Sequence, residues 1–272
     1  MIPKKIHYCW FGGAPLSDLN KKCIESWKKF CPDYEIIEWN EKNFDLHCCS
    51  YVKEAYEAKK WAFASDYVRL YIIYKYGGIY LDTDVELIKP LDHLLEYECF
   101  LGTEEMNVIN TGLGFGAKAN NEHVKLMLNE YSNLHFKISE NVYDFIPCPQ
   151  RNTLPFLKLG YIKENRIQKI GNTVIYPTEY FCPLNFETKE LKITKNTISI
   201  HHFNGSWITD EEKQLTKKIE MFKKKHGRII SFIYKNYAEY KFQYKKFSVK
   251  FFIEFVYKKI YKKFYIKNMI SH

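Results

Sequence analysis

The chain has 272 residues, 46% hydrophobic and 17% aromatic, enough to bury one substantial core in one or two domains. It holds no uncharged apolar run of about 18 residues, so no spanning helix is expected, and its basic N-terminus leads into no apolar h-region, so no export signal is expected. The net charge of +9 is uneven: residues 211–272 carry sixteen Lys and one Arg against five Glu, a balance of +12, which leaves the first 210 residues at −3.

Residues 5–11 alternate as a first strand, and Gly12-Gly13 turns the chain. Ser17 opens a helical stretch in which Leu19, Cys23, Ile24, Trp27 and Phe30 recur at three- and four-residue spacing, and Pro32-Asp33 stops it. Residues 34–39 read as a second strand, an α/β alternation that points to a Rossmann-like sheet. Residues 51–76 are predicted helical with a break near Trp61, and Gly77-Gly78 ends the helix, because glycine enters left-handed conformations without penalty. A short strand over 79–81 then runs into Asp82-Thr83-Asp84. Strands are expected over 98–102, 108–115 and 197–202, a helix over 121–131, and a proline-rich loop over 147–155. The eight cysteines, at 9, 23, 31, 48, 49, 99, 148 and 182, form no CxxC pair. They are expected as reduced thiols, with no structural zinc.

Two carboxylates spaced as Asp82-x-Asp84 at the C-terminal end of a strand offer hard oxygen ligands where open α/β sheets place their ligands. A divalent cation there would offset the charge of a leaving diphosphate as a Lewis acid. The pair alone equally describes a solvated turn. Asp66 and Arg69 lie three apart and share a helix face. They form either a surface ion pair or a site in which Asp66 accepts sugar hydroxyls and Arg69 holds phosphate or sugar oxygen in fork geometry. His201 and His202, adjacent on a strand, point to opposite faces, so only one can serve such a site.

The run SDYVRLYIIYKYGGIYLDTD over 65–84 resembles the DxD-containing sugar-binding region of glycosyltransferase family 32. That family includes bacterial capsule and lipopolysaccharide transferases and yeast initiating mannosyltransferases, and it is related to the clostridial glucosylating toxins. The resemblance extends from IPKKIHYCWFG at 2–12 to HHFNGSW at 201–207, about three-quarters of the chain. It implies a GT-A fold, a mixed α/β sheet with flanking helices over residues 1–210, and retention of anomeric configuration.

Residue by residue, the resemblance implies that Trp10 stacks on the nucleotide base, though a core tryptophan ending the first strand is the alternative. It implies that Asp82 touches ribose and metal, that Asp84 ligates metal, and that Tyr80 lies near the diphosphate. The H-x-x-G spacing of related enzymes favours His202 as the third ligand, with Ser206 and Trp207 closing over the diphosphate. Asn110, in NTGLG, would face the sugars being joined, or serve as a turn residue before Gly112. The polar stretch Gln150, Arg151 and Asn152 is a candidate acceptor face. The cofactor implied is Mn²⁺ or Mg²⁺, with a UDP-sugar as donor.

From His226 onward aromatics interleave with lysines, and helical spacing places Phe247, Phe251, Phe255, Ile260 and Phe264 along one side. A basic amphipathic tail over 211–272 fits an anionic membrane surface carrying lipid-linked glycan acceptors, or else a helical cap on the body. The expected function is hexose or N-acetylhexosamine transfer to a capsule, O-antigen or lipooligosaccharide acceptor, by an enzyme peripheral to the cytoplasmic face of the plasma membrane. No nucleic-acid partner is expected. The rivals are a protein-modifying glycosyltransferase and a non-enzymatic binding protein acting through the tail.

Overall fold

The computed structural model describes residues 1–205, apart from 141 and 187, and isolated positions between 214 and 238. The chain divides into two compact units, Met1–Asn204 and Gly205–His272. In the second, the rings of Phe222 and Tyr234 stack 3.9 Å apart. The aromatic–lysine pattern expected over 247–264 lies outside the described residues.

In the first unit, β1 (Lys5–Cys9) pairs in parallel with β2 (Glu35–Trp39). Between them runs α1 (Asp18–Phe30), capped by Ser17, whose hydroxyl accepts from the Asn20 N–H. The predicted break near Trp61 is real. Helix α2 (Ser50–Glu57) and α3 (Trp61–Tyr76) are separate, and Lys59 between them has a φ of 56°. Most of α3 is buried, its apolar residues Phe63, Ala64, Val68, Leu70, Ile72 and Ile73 together with the polar Ser65, Asp66 and Arg69. Gly77 and Gly78 end it with φ of 64° and 108°; a Cβ on Gly78 would lie 2.8 Å from the His7 ring.

After this turn β3 (Gly78–Tyr80) pairs in parallel with β1 and delivers the chain to Asp82. Then β4 (Val85–Leu87) leaves the main sheet. The residues expected as one strand over 108–115 are two. Following β5 (Cys99–Glu104), the chain forms β6 (Val108–Ile109), loops through Asn110 to Gly114, and returns as β7 (Phe115–Ala117). Gly114 at φ 130° permits the loop. Helix α4 (Glu122–Asn129) and a hairpin of β8 (Lys137–Ser139) and β9 (Val142–Tyr143) follow.

The proline-rich segment expected as a loop is instead helix α5 (Cys148–Lys158). Pro149 sits in the first turn, where no intrahelical N–H is needed. Pro155 lies inside the helix and is tolerated near its C-terminal end. Thr153 both donates to the Pro149 carbonyl and accepts from the Ile109 N–H, joining α5 to β6. Then β10 (Gln168–Ile170), β11 (Thr173–Tyr176), the short α6 (Thr178–Phe181) and β12 (Ser199–His201) complete the unit.

The main sheet runs β10-β11-β5-β7-β3-β1-β2, with β6 beside β5. It is mixed: β7 is antiparallel to both β3 and β5, while β1, β2 and β3 are mutually parallel, as are β5 and β11. Period-two alternation sorts side chains onto two cores. Ile6, Tyr8, Ile79 and Phe100 face one cluster; Cys9, Tyr80, Cys99 and Leu101 face the other. This is the mixed, helix-flanked α/β architecture expected from the sequence. Outside it, β12 pairs antiparallel with β4, bringing His201 opposite Val85 just past the DXD loop. Among the described residues no helix is long and apolar enough to cross a membrane.

Candidate active site

The DXD loop is held from three sides. Asn20, at the start of α1, donates to the Thr83 hydroxyl at 2.8 Å, and the Trp27 indole donates to the Val85 carbonyl at 2.7 Å. The Asp82 N–H donates to the Gly112 carbonyl at 3.2 Å, tying the loop to the turn after β6. The carboxylates therefore stand on a constrained backbone.

Helix α3 presents Asp66 and Arg69 to this loop. Arg69 is 4% exposed and its Nη2 lies 3.1 Å from Asp66 Oδ1 and 3.2 Å from Asp82 Oδ1. The same guanidinium lies over the Tyr80 ring, 5.1 Å from its centre, and the Tyr80 hydroxyl donates to Asp82 Oδ1 at 3.0 Å. So the surface ion-pair alternative for Asp66 and Arg69 does not hold: both are buried beside the DXD motif. Burial raises the Asp66 carboxyl to about 6 despite the opposing Arg69 charge, and burial likewise holds Asp82 above the usual carboxylate range.

The histidine at the site is His201. Its Nε2 lies 3.2 Å from Asp84 Oδ1, and single ligand atoms of Asp82, Asp84 and His201 all lie within 4.8 Å of one another. The resemblance favours His202, but that residue follows β12 and its Nε2 lies 2.8 Å from Glu86 Oε2; Lys22 holds the same carboxylate. Adjacent residues at a strand end do not share a face, so the structure gathers His201, rather than the expected His202, with the DXD acids. Burial alone would raise the Asp84 carboxyl, but the His201 charge and hydrogen bonds from His201 and the Asn204 N–H outweigh it and bring Asp84 down to about 2. His201, conversely, is raised: burial disfavours its charge, but Asp84 and Asp82 more than compensate.

This donor set fits a divalent cation. Two carboxylates and one imidazole suit Mn²⁺ or Mg²⁺ better than soft metals. The His201 Nδ1 is buried and without a hydrogen-bond partner among the described residues. The negative potential that favours a proton on His201 also favours a cation in the same place.

Asn110 is buried beside the loop. Its Oδ1 accepts from the Gly112 N–H at 2.7 Å, so it does close a turn, while its Nδ2 donates to Glu104 Oε2 at 2.7 Å. Glu104, at the end of β5, is a site carboxylate that the sequence does not announce: it falls in no motif, and only the sheet brings it beside Asn110 and within electrostatic reach of His201. Gly112 is a second omission. A Cβ there would lie 2.3 Å from Asp82 Oδ2 and 3.1 Å from Arg69 Nη1.

Trp10 is half-buried after β1, packed against the cluster of Ile6, Tyr8 and Ile79, and its indole donates to the Ala14 carbonyl at 2.6 Å. Gln150 is exposed, whereas Arg151 and Asn152 are buried in α5 rather than displayed as a polar loop. Ser206 and Trp207 lie outside the described residues.

The site thus joins a buried Asp–Arg pair on a helix to a DXD loop at the carboxyl edge of a mixed sheet. Residues 17–101 match the family described as "glycosyltransferase sugar-binding region containing DXD motif", a span that includes Asp66, Arg69, Asp82 and Asp84. Over this span the chain is similar to the DXD glycosyltransferases. It is similar to inositol phosphoceramide mannosyltransferase 3 of Schizosaccharomyces pombe, 32% identical over 127 residues, covering 42% of this chain and 33% of the relative. Inositol phosphoceramide mannosyltransferase 2 of the same yeast is 29% identical over 126 residues, covering 42% and 34%. The chain thus spans about a third of the length of these curated relatives. Among solved structures, a glycosyltransferase involved in glycosylating the major capsid of PBCV-1 is 14% identical, covers 78% of this chain and 98% of its own, and gives a TM-score of 0.45.

Proposed function

We propose that this chain is a metal-dependent, retaining glycosyltransferase that moves a hexosyl or N-acetylhexosaminyl group from a UDP-sugar to a glycan acceptor of the cell surface, such as a capsule, O-antigen or lipooligosaccharide. The convergence of Asp82, Asp84 and His201 beside the buried Asp66–Arg69 pair is the observation that carries it. When bound, a divalent cation held by Asp82, Asp84 and His201 supplies Lewis-acid neutralisation of the leaving diphosphate.

The chain's own residues do the positioning. Asp66 accepts hydrogen bonds from hydroxyls of the transferred sugar, while Arg69 keeps Asp66 and Asp82 in one fixed geometry. Tyr80 orients Asp82 through its hydroxyl. Asn110, pinned between Glu104 and Gly112, presents its amide beside the sugars being joined. In a buried site these fixed dipoles and charges act without reorganisation, which is where most of the rate enhancement of such a site originates. The names of the relatives, which act on inositol phosphoceramide, support a lipid-linked acceptor and make mannose a sugar to include. Peripheral attachment at the cytoplasmic face of an anionic membrane through residues 211–272, beyond a catalytic domain over 1–210, belongs to the same proposal.

The test is release of nucleoside diphosphate by the purified chain with Mn²⁺, across UDP-hexoses, UDP-N-acetylhexosamines and GDP-mannose. One UDP-sugar turned over well above the others supports the proposal. Turnover of GDP-mannose alone overturns the UDP assignment, and neither turnover nor calorimetric binding of any donor overturns the whole.

A further inference from the structure

Next to Asp66 the core contains polar atoms that ordinary packing does not explain. Tyr51 from α2, Tyr131 after α4 and Arg151 from α5 are 0%, 1% and 7% exposed. The Tyr51 and Tyr131 rings meet edge to face at 5.1 Å, and the Arg151 guanidinium lies 5.9 Å and 5.5 Å from their centres. Arg151 Nη2 is bound by the Asp144 carboxylate. Yet the Tyr51 hydroxyl, the Tyr131 hydroxyl and Arg151 Nε are buried with no hydrogen-bond partner among the described residues. Burying such a group unpaired costs about 1–3 kcal/mol, and native interiors hold few of them. Three from three different segments beside one carboxylate point to a ligand.

The position and chemistry narrow that ligand. Arg69 joins Asp66 to Asp82, and the cluster lies beside Asp66, the acid proposed above to meet the transferred sugar. Asp66 is close enough for its charge to raise both phenols, beyond the larger effect of their burial. The charges are already matched: Asp144 answers Arg151, and Asp66 with Asp82 answers Arg69. An anionic substituent would meet no free positive charge, whereas a neutral oxygen could accept from two O–H groups and an N–H.

We propose that Tyr51, Tyr131 and Arg151 form a subsite, continuous with Asp66, for a neutral oxygen-bearing substituent of the transferred sugar, a hydroxyl or an acetamido carbonyl. The subsite deepens the donor assignment above and rests on it.

Tyr51→Phe, Tyr131→Phe and the double variant test it, because each removes only a hydroxyl. Three quantities are measured: the unfolding temperature, KM for the donor that the wild type turns over, and calorimetric affinity for the matching nucleoside diphosphate. The subsite predicts unfolding at or above the wild-type temperature, since an unpaired buried hydroxyl is gone. It also predicts unchanged affinity for the nucleoside diphosphate and a donor KM raised about tenfold, the loss of one hydrogen bond. Unchanged donor KM in all three variants overturns the subsite while leaving the donor assignment intact. So does a parallel loss of nucleoside diphosphate affinity, which would place the effect at the diphosphate instead. A wild type that neither binds nor turns over any nucleotide sugar overturns both.

Discussion

The Arg69 guanidinium stands 3.2 Å from the Asp82 carboxylate, so a helix residue in the middle of α3 directly positions the first acid of the DXD loop. The same Nη2 reaches Asp66 at 3.1 Å. Because both acids depend on one buried cation, Arg69→Ala leaves two carboxylates uncompensated, which costs about 3–5 kcal/mol of stability. Arg69→Lys keeps the charge but cannot bridge both acids with a planar fork. The expected outcome is a folded Lys variant, by thermal unfolding, with kcat/KM for the donor lowered by about 100-fold or more. Near wild-type turnover would show that the bridge is structural only.

Gly112 is needed for space, since its φ is not in the left-handed region. A methyl group there would overlap Asp82 Oδ2 at 2.3 Å, and the carboxylate is the movable party because the surrounding backbone is paired. Gly112→Ala is therefore expected to retain its fold while displacing Asp82, lowering turnover at least about tenfold and weakening Mn²⁺ binding. Calorimetric Mn²⁺ titration alongside circular dichroism checks this.

The two histidines at the end of β12 should separate cleanly. His201→Ala removes a member of the cluster with Asp82 and Asp84 and is expected to abolish high-affinity Mn²⁺ binding. His202→Ala removes a partner of Glu86, which Lys22 still holds, and should stay within about twofold of wild-type activity. The reverse ranking in a Mn²⁺ titration would place the metal on the other face of the strand.

His7 makes stability depend on pH. It is fully buried in β1, and the Trp39 indole donates to its Nδ1 while its Nε2 meets the Gly77 carbonyl at 3.0 Å. The first bond makes Nδ1 an acceptor, which leaves Nε2–H as the donor and the ring neutral. Burial lowers its pKa from 6.5 to about 4. The folded state thus binds fewer protons than the unfolded state between these values. Its contribution is fully present above pH 6.5 and is lost as pH falls towards 4, up to about 3 kcal/mol. Urea unfolding from pH 7 to 4 should show this decline, and His7→Gln should flatten part of it.

Much of this was legible in the sequence, where local pattern and structure agree. The α2–α3 break, the double-glycine stop and the DXD loop each follow from residues adjacent in the chain. The Asp66–Arg69 pair follows from helical spacing. What escaped depends on contacts that the local sequence does not encode. The strand expected over 108–115 is interrupted by a loop from Asn110 to Gly114, whose Asn-Thr-Gly turn chemistry lies between the apolar pairs at either end. Proline at 149 and 155 reads as a loop signal, although the first is allowed in an opening turn and the second sits late in the helix. Period two narrows the histidine to one of two but cannot say which faces the site; the pairing of β12 with β4 decides it. Glu104, Tyr51 and Tyr131 meet the site only through the tertiary fold.

The most direct measurement is donor turnover by the wild type and Asp84→Asn, each with Mn²⁺ and with chelator. The substitution keeps the side-chain shape and removes the charge paired with His201. The account predicts metal-dependent release of nucleoside diphosphate from one sugar donor, abolished by chelation and lowered at least about 100-fold in the variant. Turnover that persists equally with chelator and in Asp84→Asn would contradict it.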